Sequence, residues 1–397
     1  MTSAKRWLLP DGVEEILPAE AHKLESLRRQ LLDLYESWGY QLVITPLIEF
    51  LDSLLVGSSH DLDLHTFKIT DQLSGRMMGI RADITPQAAR IDAHRLNRNG
   101  PVRLCYADHV LHTKPLGIMT SRVPIRLGAE LYGHSGEECD IELVCLMHET
   151  LSAAAIDKLH IVLGHVGIFR SLLNEAQLDV DTERSLFEAV QRKAYDEIDA
   201  VLNDSVVDKR LSEMLQKLTR LSGDEAVLAE AASVFAEAPA SVQTEFQELV
   251  AIADGVKQRI PDIELGFDLC ELRGYEYHTG IVFAAYTPSY GRAVAKGGRY
   301  DHIGEVFGRA RPASGFDCDL KVLARLSSKQ FACRAAIIAP NDNQADLLAL
   351  VNSLRAQGEI VITNLDDGQL NEQDIEDLNC DRQIVIRDGK WVVEKFT

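Results

Sequence analysis

The sequence of 397 residues has no run of about 18 or more apolar residues, which is what a helix needs to cross a bilayer, so no transmembrane span is expected. The opening Met1-Thr2-Ser3-Ala4-Lys5-Arg6-Trp7 carries a basic pair. No apolar stretch follows it, because Pro10, Asp11, Glu14 and Glu15 come next. A secretory signal is therefore not expected, and a cytoplasmic location is. The seven cysteines include no Cys-x-x-Cys pair and are odd in number. That excludes a zinc or disulfide framework and fits reduced intracellular thiols. Basic charge is in short supply, with 41 Lys and Arg against 61 Asp and Glu. A nucleic-acid binder needs clustered cations to meet phosphates, so none is expected here. There is no P-loop, no Gly-x-Gly-x-x-Gly after a strand and no Gly-x-Ser-x-Gly elbow. Internal repeats and low-complexity tracts are also missing.

The acid that is present is unevenly spread. Residues 181–254 carry 7 Lys and Arg against 16 Asp and Glu, and residues 335–397 carry 5 against 12. Two acidic appendages thus flank a nearly balanced body. Pro18 precedes a helix over Ala19–Ser37, with Leu24, Leu27, Leu31 and Leu34 at helical spacing and Gly39 just beyond its end. Tyr40–Thr45 reads as a strand stopped by Pro46. Asp83-Ile84-Thr85-Pro86 opens a helix to about Leu96. Strands follow at Val102–Tyr106 and Arg126–Tyr132, then a helix over Cys139–Ala155, a strand over Lys158–Leu163 and a helix from about Gly167. Residues 181–254 read as an all-helical insertion without a strand. Strand signals resume at Ile263–Leu269, Gly280–Tyr286 and Arg292–Lys296, and a helix is expected over Asp317–Leu326. A short C-terminal α/β segment, residues 327–397, follows a core of residues 1–326. The class expected is α+β, an antiparallel sheet flanked by helices rather than a doubly wound sheet.

Chemistry-bearing motifs are few. His109-x-x-His112 lies in a strand-like context without a third ligand, and no metal site is expected. Two clusters are richer, Arg273-Gly274-Tyr275-Glu276-Tyr277-His278-Thr279-Gly280 and Lys296-Gly297-Gly298-Arg299-Tyr300-Asp301. Each puts Arg, aromatic and acidic groups beside glycines, the mixture a small-zwitterion pocket needs. An Arg pairs a carboxylate bidentately, a carboxylate pairs an ammonium, and glycines permit close backbone approach. Surface hairpin turns would carry the same letters.

Taken in order, Gly39-Tyr40, Thr45-Pro46 and Glu49, then Arg81-Ala82-Asp83-Ile84-Thr85, then the two glycine clusters, the chain resembles histidyl-tRNA synthetase from about residue 8 to 326. The resemblance implies the class II synthetase fold, an antiparallel sheet flanked by helices, and a dimer. It also implies a histidine site in which Asp83 and Thr85 meet the α-ammonium. Glu130 and Tyr300 would face the imidazole, Tyr277 would close the pocket and Arg273 would face the carboxylate. Arg126 stands where that family has Gln, and His278 where it has Tyr.

The departures shape the expected function. His112 and Lys114 stand where the second motif of the synthetases presents Arg and Glu to ATP. Val322 stands where the third motif presents its Arg, with Asp317 and Asp319 close by. Phosphoryl chemistry depends on electrostatic stabilisation by such groups, so adenylation is not expected. The acidic C-terminal segment is too short for an anticodon-binding domain. The whole pattern is similar to the family of synthetase-like regulatory subunits of ATP phosphoribosyltransferase, paralogues of histidyl-tRNA synthetase. That resemblance implies a non-catalytic chain without cofactors. Its expected partners are the short-form catalytic subunit, a second copy of itself within a hetero-octamer, and histidine as feedback effector in histidine biosynthesis. A divergent histidine-activating ligase is the alternative, and a regulator of another enzyme or an RNA sensor the more distant one.

Overall fold

The computed structural model describes residues 7–55, 60–115, 117, 120–205, 207–272, 274–275, 277–365 and 371–396. The chain divides into two compact units, Met1–Lys329 and Gln330–Thr397.

The strands of the first unit are β1 (Gln41–Leu42), β2 (Ile48–Phe50), β3 (Phe67–Thr70), β4 (Met77–Ile80), β5 (Val102–His109) and β6 (Ile125–Tyr132). They continue with β7 (His160–His165), β8 (Ser222–Gly223), β9 (Leu265–Asp268), β10 (Ile281–Thr287), β11 (Tyr290–Arg299) and β12 (Ala313–Asp319). Among the described residues they form a nine-stranded sheet, ordered β1-β5-β6-β12-β11-β10-β7-β9-β8, and a separate β2-β4-β3 sheet. The large sheet is antiparallel except where β1 meets β5 and β7 meets β9. A mixed α+β architecture results, as expected.

Period-two alternation sends Leu127, Ala129 and Leu131 of β6 to one face of the sheet, where all three are buried. The helix Glu137–Ala153 packs on β6 and β12. The helix Pro18–Ser37 starts at a proline that needs no hydrogen-bond partner for its nitrogen. It buries Leu24, Leu27, Leu31 and Tyr35, and the Tyr35 ring meets Phe316 of β12 edge-on at 6.1 Å. Each fully buried leucine contributes about 1.5–3 kcal/mol.

Several elements differ from expectation. The strand expected over Tyr40–Thr45 is confined to β1, because Arg81 draws both the Thr45 carbonyl and hydroxyl out of the ladder, at 2.7 and 2.6 Å. The helix from Thr85 is α-helical only to Arg90 and continues as a π-helix over Ile91–Leu96. Within that turn Arg311 holds the Asp92 carboxylate at 2.8 Å. Asp317–Asp319 belong to strand rather than helix. The helix begins at Leu320, with the Asp319 side chain accepting from the Lys321 amide. The insertion is helical at Val180–Gln191, Tyr195–Asp204, Lys209–Leu218, Ala226–Val234 and Ala240–Arg259. It nevertheless contains β8, which pairs Ser222 with Asp268. The β2-β4-β3 sheet was not anticipated.

The second unit has β13 (Ala336–Ala339), β14 (Ile360–Thr363), β15 (Cys380–Arg387) and β16 (Lys390–Lys395) in the order β14-β13-β15-β16. Its core joins Ile337, Ala339, Val361 and Ile384 to Leu347 and Val351 of the helix Ala345–Ala356. The helix Glu372–Asp377, opened by an Asn371 capping box, was not read from the sequence.

Candidate functional site

The alternation that buries Leu127, Ala129 and Leu131 turns Arg126, Gly128 and Glu130 to the other face of the sheet. Register places Gly315 of β12 opposite Glu130, Asp317 opposite Gly128 and Asp319 opposite Arg126. On β11, Lys296 stands opposite Asp317. On β5, Tyr106 stands opposite Gly128. A cavity of about 430 Å³ lies over these strands, and its lining includes Asp83, Thr85, Glu130, Tyr277, His278 and Tyr300. Those expected site residues, scattered over more than two hundred positions of sequence, are brought together. Arg126 lines an adjoining cavity of about 490 Å³ that shares Tyr286, Ala293, Lys296 and Asp317 with the first. Arg273 lies outside the described residues.

Glu130 is the electrostatic centre of the first cavity. It is 1% exposed and accepts hydrogen bonds from the hydroxyls of Tyr106, at 3.0 Å, and of Tyr300. Burial outweighs these donors and pushes the carboxyl up to about 8. Gly315 makes the position tenable, since a Cβ there would overlap the Glu130 carboxylate. The Tyr300 ring stacks on Tyr277 with centroids 5.0 Å apart. The Tyr277 hydroxyl has no hydrogen-bond partner among the described residues. Burial drives His278 down to about 4. Its neutral ring therefore donates from Nδ1 to the Arg299 carbonyl, at 3.2 Å, leaving Nε2 as an acceptor.

Arg81-Ala82-Asp83-Ile84-Thr85 supplies the opposite wall. Arg81 is a buried pin that also donates to the His109 carbonyl at 2.8 Å. Asp83 accepts from the backbone amides of Ile84 and Thr85, at 2.6 and 3.3 Å. The Thr85 hydroxyl lies 3.2 Å from that of Tyr106. Burial raises the Asp83 carboxyl, the Asp317 charge raises it further, and Arg126 opposes both. Arg126 itself reaches diagonally across the strand pair to Asp317 at 3.4 Å. Burial disfavours its charge, but Asp317, Asp319 and Asp83 hold its pKa above the ordinary arginine value.

Two lining residues of the second cavity, His112 and Val322, bring no charge to it. His112 is buried, its Nε2 donates to the Ala82 carbonyl at 3.0 Å, and burial drives it down to about 4, so it carries no charge at neutral pH. Val322 is a buried residue of the helix Leu320–Leu326. Lys321 is paired with Glu14 at 3.2 Å, and Arg126 is occupied by Asp317. Two of the cavity's cations are thus paired with acids of its own lining, Arg126 with Asp317 and Lys321 with Glu14; Arg292, Lys296 and Arg325 line it as well.

Sequence reading missed Tyr106, which links Thr85 to Glu130, and Tyr286, which with Lys296 of the second glycine cluster joins the two cavities. Asp317 stood out only as a negative charge near the phosphate end, whereas it is the partner of Arg126. Glycine at 128, the cross-strand neighbour of Tyr106, is the one local signal for Tyr106.

A family model for histidyl-tRNA synthetase matches residues 12–323. A second, for the ATP phosphoribosyltransferase subunit HisZ C-terminal domain, matches residues 334–394. Curated ATP phosphoribosyltransferase regulatory subunits of Marinobacter nauticus and Ectopseudomonas mendocina are each 52% identical to this chain, with 99% of both chains covered. This chain belongs to the ATP phosphoribosyltransferase regulatory subunit family. Among solved structures, an ATP phosphoribosyltransferase regulatory subunit/histidyl-tRNA synthetase of Bacillus halodurans aligns with TM-score 0.82 at 24% identity, covering 96% of this chain and 98% of that one. Histidyl-tRNA synthetase of Nostoc sp. PCC 7120 aligns with TM-score 0.78 at 19% identity, covering 98% and 97%. At these identities the likeness establishes the class II synthetase fold. In this regulatory-subunit family member, that fold carries a cavity built around the Glu130 carboxyl beside one that is uncharged at His112 and Val322.

Proposed function

We propose that this chain is the non-catalytic regulatory subunit of ATP phosphoribosyltransferase, and that it senses histidine in the cavity around Glu130. It would dock the short-form catalytic subunit in the cytoplasm, pair with itself through the synthetase-like core, and build a hetero-octamer of four plus four chains. The catalytic partner supplies the site for ATP and phosphoribosyl pyrophosphate. This subunit is required for full activity and for feedback by the pathway's end product.

The observation that carries the reading is the contrast between the two cavities. One keeps acids and tyrosines suited to an amino acid with an imidazole side chain. In the other, His112 and Val322 stand where the synthetases present arginines to the nucleotide. In the first, Glu130 and Tyr300 would meet the imidazole, whose positive charge would compensate the ionised Glu130. Asp83 and Thr85 would receive the α-ammonium, Tyr277 would cover the ligand, and Arg273 would take the carboxylate. Arg126 and His278 would bound the site, with His278 offering an acceptor. A coupling free energy of about 1–3 kcal/mol between this site and the catalytic partner would suffice for useful inhibition.

The experiment is a histidine titration of the assembled enzyme carrying Glu130→Ala or Arg273→Ala. Both variants should assemble and activate normally yet lose histidine sensitivity. Normal inhibition in both would place the effector site elsewhere. The alternative, a divergent histidine-activating ligase, requires histidine-dependent ATP–pyrophosphate exchange by the isolated chain, and the neutral His112 and buried Val322 speak against it.

A further inference from the structure

Behind the cavity wall the fold assembles a donor set from residues about eighty positions apart. His165 ends β7 and precedes the helix Val166–Ala176. It is fully buried, and neither ring nitrogen has a hydrogen-bond partner among the described residues. Glu245 and Glu248 stand three positions apart on the helix Ala240–Arg259, which packs on β7 and on Val166–Ala176. That spacing puts both carboxylates on one helix face. The Glu245 Oε2 lies 3.3 Å from His165 Nδ1 and the Glu248 Oε1 lies 3.9 Å from Nε2. The two carboxylates are 30% and 32% exposed, so an ion can reach them from solvent. Gly167 leaves the space Glu245 uses, since a Cβ there would overlap its carboxylate.

We propose that His165, Glu245 and Glu248 form a binding site for a first-row divalent transition ion of the Mn²⁺ to Zn²⁺ series, which staples the returning helix of the insertion to the core sheet. One imidazole nitrogen with two carboxylates is a borderline-to-hard donor set, suited to these ions rather than to soft Cu(I). One donor atom from each residue falls within 4.8 Å of the others. Coordination at about 2.0–2.2 Å asks only for rotation of the two solvent-reaching carboxylates about a fixed imidazole. Nearby cations are engaged elsewhere. Arg299 is bound to Asp140, and Arg170 donates to the carbonyls of Tyr275 and His278 at 2.8 and 2.9 Å. The existence of the staple does not depend on what the cavity around Glu130 binds.

The rival arrangement is a protonated imidazole held between two carboxylates with no ion at all. Calorimetric titration of EDTA-stripped protein with Zn²⁺ and Mn²⁺, and absorption spectra with Co²⁺, separate the two. The proposal expects about one equivalent bound, a rise in Tm with added ion, and at least about tenfold weaker binding in Glu245→Gln and Glu248→Gln. These near-isosteric variants, checked for folding by circular dichroism, guard against a general loss of structure. Binding as tight in both variants as in the parent would assign the ion to surface histidines and overturn the site. Absence of stoichiometric binding would overturn it in favour of the imidazolium.

Discussion

Replacing Glu130 by glutamine should make the ligand-free protein more stable, by an amount that grows with pH. Glu130 is an acid whose folded-state pKa, about 8, lies above its unfolded value of 4.5 because burial penalises the carboxylate. Between those values the folded chain holds a proton that the unfolded chain has released, so stability falls as pH rises. Each unit is worth about 1.4 kcal/mol, so the loss relative to acid conditions is about 3 kcal/mol at pH 7 and levels off near about 5 kcal/mol above pH 8. The substituted side chain cannot ionise, and its amide can still accept from one tyrosine hydroxyl and donate to the other. With an unfolding entropy of about 2.1 cal/mol/K per residue over the first unit, Met1–Lys329, the gain is about 4–5 °C in Tm at pH 7 and about 1 °C at pH 5. Scanning calorimetry of Glu130→Gln without histidine, at unit steps from pH 5 to 8, measures it. A variant less stable than the parent by a pH-independent amount would refute the reasoning, showing that the tyrosine donors hold Glu130 ionised. The same variant should bind histidine more weakly, because it offers the imidazolium no charge.

Three further outcomes are expected. Gly315→Ala would push a methyl group into the Glu130 carboxylate, so calorimetry should find histidine binding lost although no charge has changed. Asp92→Ala would leave Arg311, 9% exposed, as an unpaired buried cation. It should cost about 3–5 kcal/mol, a fall of about 4–7 °C in Tm by thermal scan. The purified chain should give no histidine-dependent ATP–pyrophosphate exchange, and His112→Arg with Val322→Arg should not create it while Asp317 and Asp319 remain in the second cavity.

Much of the fold was legible because its patterns are local. The Leu24-Leu27-Leu31 spacing and the alternation of Arg126–Tyr132 each declare their element and its buried face. The misread stretches are those where a distant partner decides. Thr45 leaves the ladder because of Arg81. Asp317–Asp319 extend because β6 and β11 lie on either side of them. Ser222–Gly223 is a strand only because β9 is there to pair with it. The same distinction runs through the site. Tyr277, His278 and Tyr300 sit in the two glycine clusters and Glu130 is reached only through the resemblance, whereas Tyr106 enters through cross-strand register, which a single sequence does not display. The pairing of Arg126 with Asp317 is likewise a property of two strands in register. His165, Glu245 and Glu248 carry no shared motif at all and meet only when the insertion folds back.

The central claim, that this chain confers both activation and histidine feedback, is tested most directly by one assay. Phosphoribosyltransferase activity of a short-form catalytic subunit from the same genome is measured with and without this chain, across a histidine titration. The account predicts activation by the chain, and inhibition by histidine that appears only when the chain is present. A catalytic subunit whose rate and histidine response are unchanged by the chain would contradict it.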